Sequence, residues 1–378
     1  MAATETAVPV RAAGRESTPG TGRVLSIDAF RGFTMICMIA EGFGLLHFLK
    51  NPIIGPIAAE FEHVDWNMSI PVDLHFWDLI QPFFMFIVGA VMPISFGHRW
   101  KNGETWNYSF KHVLWRALLL LACGEIARSI QARRPVIDVI NVLGQLAFAY
   151  PVAFLTLRKS WRFQGAVAGG LLLAHWAFYR FVTAPGVTGP WDPDANIGWY
   201  LDGLILGKHW GNHFAYATIN CVSSTANVIF GVMAGSLLAN PAIDEAKKLR
   251  ILIVCGVSGI LAGLALDPFI PIVKKIWTPS FAIYSAGFTL LGLALFYWIC
   301  DVQKRTRWAK MFLIVGANSI FIYLFHETLG GYLSTGMRRG VALLFEGPWS
   351  AFLAAWIVIA IHVLVCWILW RRRIFIRL

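Results

Sequence analysis

Long apolar runs, separated by short clusters of Lys and Arg, dominate this sequence and restrict what it can fold into. A helix needs roughly 20 mostly apolar residues to cross the hydrocarbon layer of a bilayer. Runs of about that length fall at approximately 27–48, 74–97, 110–128, 137–157, 163–183, 217–239, 249–266, 280–300, 309–329 and 351–370. Only 14% of the residues are charged, where a soluble domain carries about 25%, so the chain cannot supply a polar coat. With 28 Phe and 17 Trp it is also far too apolar for disorder. The expected fold is all-α: a polytopic transmembrane helix bundle of about ten helices.

Basic residues orient such a bundle, because cytoplasmic loops carry the excess of Lys and Arg. With the N-terminus inside, the inner segments hold 20 of the 32 basic residues and the outer segments 10; Arg31 and Arg116 lie within runs. An even number of helices then places both termini in the cytoplasm. Arg133 and Arg134, on the outer side, run against the rule. The polar tail 1–23 has no apolar core of a cleavable signal, so it reads as a cytoplasmic extension of one transmembrane domain, 24–378. The net charge of +11 sits in loop clusters and forms no basic stripe with exposed aromatics, which argues against nucleic acid. The six cysteines are dispersed in apolar runs without a CxxC pair, so neither a disulfide framework nor a metal site is expected.

Two outer connections, 49–73 and 184–216, are long enough to be functional. They interleave Trp, Tyr, Asp and Asn, a mixture that suits either sugar binding or an interfacial aromatic belt. Ionisable and amide groups inside spans mark functional candidates. Asp28 and Arg31 are neighbours on one helix face, placed to form an ion pair or part of a ligand site. Asp138, Asn141 and Gln145 share a stripe in the fourth run; Asn220, Ser223 or Ser224, and Asn227 share one in the sixth. Ser319, Tyr323 and His326, beside Asn318, form a third in the ninth. Lipid cannot satisfy such groups, so these faces turn inward, either to bond neighbouring helices or to line a polar cavity. Pro82 and Pro93 predict a kink in the second helix. His63, in the first outer connection and flanked by Glu60, Glu62 and Asp65, is the first candidate for proton transfer or nucleophilic chemistry.

The segments SIDAFRGFTMICMI, HVDWN and DLIQPFFMFIVG resemble the opening of the heparan-α-glucosaminide N-acetyltransferase family of membrane acyltransferases and its bacterial relatives. The resemblance continues through INVLGQLAFAY, GVMAG after Asn227, PIVKKIWTPSFAIYSAGF, DVQKRTRWAKMF and GANSIFIYLFHE, from about residue 24 to 329. It implies a multi-pass enzyme of the bacterial cytoplasmic membrane that moves acetyl from cytosolic acetyl-CoA to an amino or hydroxyl group of an extracytoplasmic sugar or glycan. No metal is expected. His63 takes the position of the active-site histidine, with Asn67 in the same motif. Many relatives carry an asparagine late in the first helix where this chain reads Glu41-Gly42, so Glu41 becomes a candidate substitute. About five additional residues, including Asp73 and His75, stand between Asn67 and Asp78. Trp66 and Asp78 are assigned to the substrate or CoA cavity with Asp28, Arg31, Asp138, Asn141, Gln145, Asn220, Asn227, Asn318 and His326.

The expected partners are acetyl-CoA, the extracytoplasmic acceptor and the lipid bilayer; a homodimer is left open. CoA phosphates would meet inner basic residues, and Asn67, Asn227 or Asn318 would serve an oxyanion. Direct transfer and an acetyl-histidine intermediate both fit. A transporter or flippase of an envelope glycan, and a non-catalytic membrane partner, are the rival readings.

Overall fold

The computed structural model of the chain describes residues 24–64, 66, 74–137, 139–207 and 216–376. Among these every regular element is helical. The apolar runs emerge as α1 (Leu25–Ile39), α3 (Ile80–Lys101), α4 (Trp106–Ala132), α5 (Val142–Thr156), α6 (Trp161–Phe181) and α8 (Asn220–Ala239). They continue as α9 (Glu245–Leu266), α10 (Pro279–Tyr297), α11 (Lys310–Ala317), α12 (Ser319–Phe325), α13 (Gly331–Ala342) and α14 (Pro348–Arg371). The two long connections contribute the short helices α2 (Gly55–Ala59) and α7 (Ile197–Leu206).

Helix starts follow the local chemistry. Thr105, Asn141, Ser160, Asn196, Asp244 and Thr278 each precede a helix, and each side-chain oxygen accepts a backbone N–H of the first turn. These caps satisfy donors that a helix leaves free at its N-terminus. Asn141 is therefore a cap and not a member of an intrahelical stripe, because the fourth run becomes helical only at Val142. Its former stripe partner Asp138 lies outside the described residues. The start of α1 is capped from a distance: Asp301 accepts from Leu25 N at 3.1 Å and Ser26 N at 2.9 Å, tying the end of the α10 segment to the beginning of α1. α3 runs through Pro93 without an interruption in its helical span.

Among the described residues five helices have the length and composition to cross a membrane, or up to seven spans if each of two bent pairs counts as one. The bent pairs replace two runs expected to be straight. α1 turns by 50° into a 3-10 segment, Glu41–Phe48, and α11 turns by 76° into the helix that follows Ser319. Four consecutive residues make the first bend, Glu41, Gly42, Phe43 and Gly44, with φ of 44°, 67°, 54° and 71°. Left-handed backbone is costly for Glu and Phe, so packing must hold it. α4 and α6 are as long as the candidate spans but fall outside the same test on composition.

The centre of the bundle is the α3–α8 pair, which meets backbone to backbone. A Cβ on Gly89 would lie 1.9 Å from Val228 O; one on Gly231 would lie 1.9 Å from Phe86 O; one on Gly235 would lie 2.0 Å from Ala90 O. Small residues at such crossings let helices gain dispersion contacts that lipid does not offer. α10 packs on α9, α1, α3 and α8, while α5 and α6 pack on α8. The N-terminal ends of α3, α8 and α10 carry the residues described next.

Candidate active site

Residues 74–79 lie against residues 60–64 through polar groups of both. Glu60 O accepts from Trp77 N at 2.9 Å and Glu60 Oε2 from Phe76 N at 3.0 Å. Beneath them lies an aromatic cluster: Phe43 meets Phe61 at 5.7 Å and Trp77 at 6.1 Å, and Phe61 meets Trp77 at 5.7 Å. The left-handed turn at 41–44 therefore has a visible use. It drives Phe43 under the two residues that flank His63 and Asp78. Glu41 itself points to α13, where its carboxylate accepts from Ser334 Oγ at 2.9 Å and stands 4.0 Å from Arg338.

Asp78, two residues before α3, is buried, and its two oxygens join residues on both sides of this fold. Oδ2 accepts from Val64 N and His75 N, while Oδ1 lies 2.8 Å from His63 Nδ1. An ionised carboxylate only accepts, so His63 Nδ1 carries the proton in this contact and the neutral ring keeps its lone pair on Nε2. The His63 side chain is 55% exposed against 4% for Asp78. A buried carboxylate thus orients an exposed imidazole, the arrangement of a base held in one tautomer.

A third group closes the site from the far side of the sequence. Lys274 Nζ lies 3.1 Å from Asp78 Oδ1 and 3.2 Å from His63 Nδ1. It sits on the connection between α9 and α10, whose turns are tied internally. Asp267 Oδ1 accepts from Ile272 N at 2.8 Å, and Thr278 Oγ1 accepts from Val273 N at 3.0 Å. α8 clamps the same connection from below. Asn220 Nδ2 donates to Lys275 O at 2.9 Å, Trp277 Nε1 donates to Asn227 Oδ1 at 3.0 Å, and Asn227 Nδ2 donates to Ala282 O at 3.0 Å. The amide stripe of α8 thus grips the Lys274 connection.

The other candidates are distributed over the bundle. Trp66 meets Trp199 of α7 edge to face at 5.8 Å and packs against the buried cluster of Tyr179, Ile197, Val273 and Ile276. Asp28 and Arg31 form an ion pair at 3.0 Å near the start of α1. Asn141 Nδ2 donates to Glu125 at 3.0 Å, and Gln145 Nε2 donates to Ile140 O at 3.3 Å. Asn318, at the α11–α12 bend, donates to Ile374 O at 3.1 Å and accepts from Ile376 N at 2.9 Å, fastening the chain after α14. His326 begins a π turn, and its ring lies 5.4 Å from that of His362. Asn67 lies outside the described residues. In the connection between α6 and α7 Asp192 organises a tight loop. The Thr188 hydroxyl and the N–H of Asp194 beside it hold its carboxyl below the usual carboxylate range.

Among the described residues no group of three or more His, Cys, Asp or Glu side chains could hold a metal ion. The sequence reading singled out His63 and Asp78 in separate segments but did not join them, and it passed over Lys274. The joining signal was present only as resemblance, in HVDWN, DLIQP and PIVKKIW.

Comparison with known proteins adds an independent line. The chain is 25% identical over 417 residues to human heparan-alpha-glucosaminide N-acetyltransferase, an alignment that takes in 93% of this chain. The mouse protein of the same name is 24% identical over 415 residues, again with 93% of this chain covered. This chain is a distant relative of those acetyltransferases. It spans about three fifths of the length of the curated relatives it matches. No family model matches it.

Proposed function

We propose that this protein is a membrane-embedded acetyltransferase that passes an acetyl group from acetyl-CoA to an amine of a sugar or glycan, with His63 as the base. The observation that carries the reading is the His63–Asp78 contact at 2.8 Å, made by an exposed ring and a buried carboxylate in a chain related over 93% of its length to N-acetyltransferases.

The chemistry asked of the site is simple. The acceptor amine attacks the thioester carbonyl, and a new C–N bond forms. His63 Nε2 takes the proton that the amine sheds, while Asp78 holds Nδ1–H and stabilises the imidazolium that results. Collapse of the tetrahedral intermediate breaks the C–S bond, and the thiolate of CoA leaves and recovers a proton from the imidazolium.

The reading includes a topology in which ten crossings leave both termini in the cytoplasm. In support, α3 and α10 begin at the site and run away from it, toward Arg99 and Lys101 in one case and Lys304 and Arg305 in the other. His63 then faces outward, and the denser basic clusters face the cytosol, where CoA phosphates are met. The relatives are named as transferases, so a transport role without acyl chemistry is not favoured.

The test is release of free CoA thiol by purified protein supplied with acetyl-CoA and a panel of amino sugars. Acceptor-dependent release that disappears in His63→Ala supports the assignment. Release unaffected by that substitution removes His63 from the chemistry, and no release with any amino sugar overturns the reaction.

A further inference from the structure

A lysine is an uncommon neighbour for a histidine that must become cationic during turnover. Here Nζ of Lys274 is 3.2 Å from His63 Nδ1, and both nitrogens converge on Asp78 Oδ1, at 3.1 Å and 2.8 Å. The lysine side chain is 9% exposed and the carboxylate 4%, so neither charge is screened by bulk water as a surface pair would be. Among the described residues, the other contacts of the carboxylate are the neutral N–H groups of Val64 and His75. If Lys274 were uncharged, a buried carboxylate would be left to attract a proton onto the imidazole, and an imidazolium has no lone pair at Nε2. With the ammonium in place, the carboxylate is already neutralised.

We infer that Lys274 is a positioning residue that sets the charge state of His63: it balances Asp78, so that the resting imidazole is neutral with its proton on Nδ1 and its lone pair on Nε2. The inference rests on the reading of His63 as the base and deepens it. The protein holds Lys274 in place at both ends of its short segment. The turn is closed by Trp277 N on Lys274 O at 2.9 Å, and the α8 amides of Asn220 and Asn227 anchor Lys275 O and the Trp277 indole.

Other titratable groups surround the three. Glu60, Glu62 and His75 lie on the segment that carries His63; Asp267 and Lys275 lie on the Lys274 connection. Tyr216 has its ring 5.9 Å from the ammonium, and His175 of α6 stands beside Ile276. Glu60, His75 and Asp267 are engaged with backbone groups of their own loops, and among the described residues Asp78 and Lys274 are the charges in direct contact with the imidazole.

The test measures, in the full chain purified in detergent, how fast diethyl pyrocarbonate modifies His63 across about pH 5–8, the range in which imidazole changes charge. The reagent attacks neutral imidazole, and mass spectrometry of the His63 peptide reads the extent. In Lys274→Met the pH of half-maximal modification is expected to rise by about one unit, a tenfold change in the neutral fraction below it. Lys274→Arg and Lys275→Met are expected to follow the wild-type curve. Should Lys274→Met fail to fold, Asp78→Asn with and without Lys274→Met measures the same charge: the double variant is expected to have the higher half-point. Superimposed curves for wild type and Lys274→Met, or for the Asp78→Asn pair, overturn the inference.

Acetyl transfer separates this from the functional reading. In Lys274→Met, kcat is expected to fall by up to about tenfold at pH below both half-points, and by less near pH 7, with KM unchanged, and to recover toward pH 8, following the neutral fraction. If the wild-type chain transfers no acetyl but the modification curves move as stated, the reaction is wrong and the charge balance stands. If transfer depends on His63 and both profiles ignore Lys274→Met, the charge balance alone falls.

Discussion

α8 and α9 are adjacent in sequence and equally at home in a bilayer by composition, with mean hydropathies of 1.6 and 2.2 over their best windows. Their fates in the bundle are opposite. Two thirds of the α8 window is buried inside the protein, 67%, against 17% for α9. The difference lies in the small and polar residues. α8 presents Asn220, Ser223, Ser224, Asn227, Gly231 and Gly235, all buried, whereas α9 turns Val254, Val257 and Leu261 outward. Hydrophobicity cannot distinguish protein from lipid when both are apolar; close backbone approach and hydrogen bonding can. The central helix is also the one that serves the site, because its amides hold the connection that delivers Lys274.

The contrast can be broken or sharpened by substitution. The largest effect is expected at Gly231, where any side chain meets the backbone of α3. Gly231→Leu should yield no folded monodisperse protein by size exclusion, exceeding the ~1–3 kcal/mol usual for overpacking. Gly169→Leu on α6 has open space around it and should remain folded. Recovery of a native-like Gly231→Leu protein would deny the central pair its role.

Next comes His63→Ala, at the exposed end of the same central helices. Acetyl transfer should drop by about 10²–10⁴, the range for loss of a general base. The melting temperature in detergent should stay near that of wild type, because the ring is 55% exposed. A large loss of stability would mean that His63 is structural.

Asn227→Ala is expected to have an intermediate effect. It leaves the Trp277 indole N–H without its partner, which costs roughly 1–3 kcal/mol in a buried setting. Ser258→Ala on the exposed side of α9 should stay within ~0.5 kcal/mol, as surface changes do. Comparable melting shifts in the two variants would erase the distinction between the helices. The smallest effect is a gain: Gly169→Ala on α6 should stabilise by up to ~1 kcal/mol through helix propensity, measured by thermal melting in detergent.

Much of the site was readable one residue at a time. His63 stood out as a loop imidazole, Asp78 through the resemblance of DLIQP, and the α8 amides as a stripe that lipid could not satisfy. Their partners were not readable. Asp78 and Lys274 are 196 positions apart, and nothing in the local pattern around Lys274 separates it from an ordinary basic loop residue. Glu41 shows the converse. Its place in the chain suggested a substitute catalytic group, while the structure gives it Ser334 and Arg338 as partners and sets Phe43 beneath the His63 segment instead. A left-handed turn spanning Glu41 and Phe43 has no signature in propensity, since both residues disfavour it.

Composition and periodicity by themselves determined that this chain lives in a membrane as helices, and its Ser, Thr, Asp and Asn caps marked where several of those helices begin. Those properties are local: they depend on transfer to lipid and on hydrogen bonds spanning a few residues. Only the tertiary structure decided which apolar helices meet each other and which meet lipid, and it alone brought an imidazole, a carboxylate and an ammonium onto one oxygen. The reason is that a buried charge is tolerable only beside its partner, and chain crossings, not sequence neighbours, supply that partner.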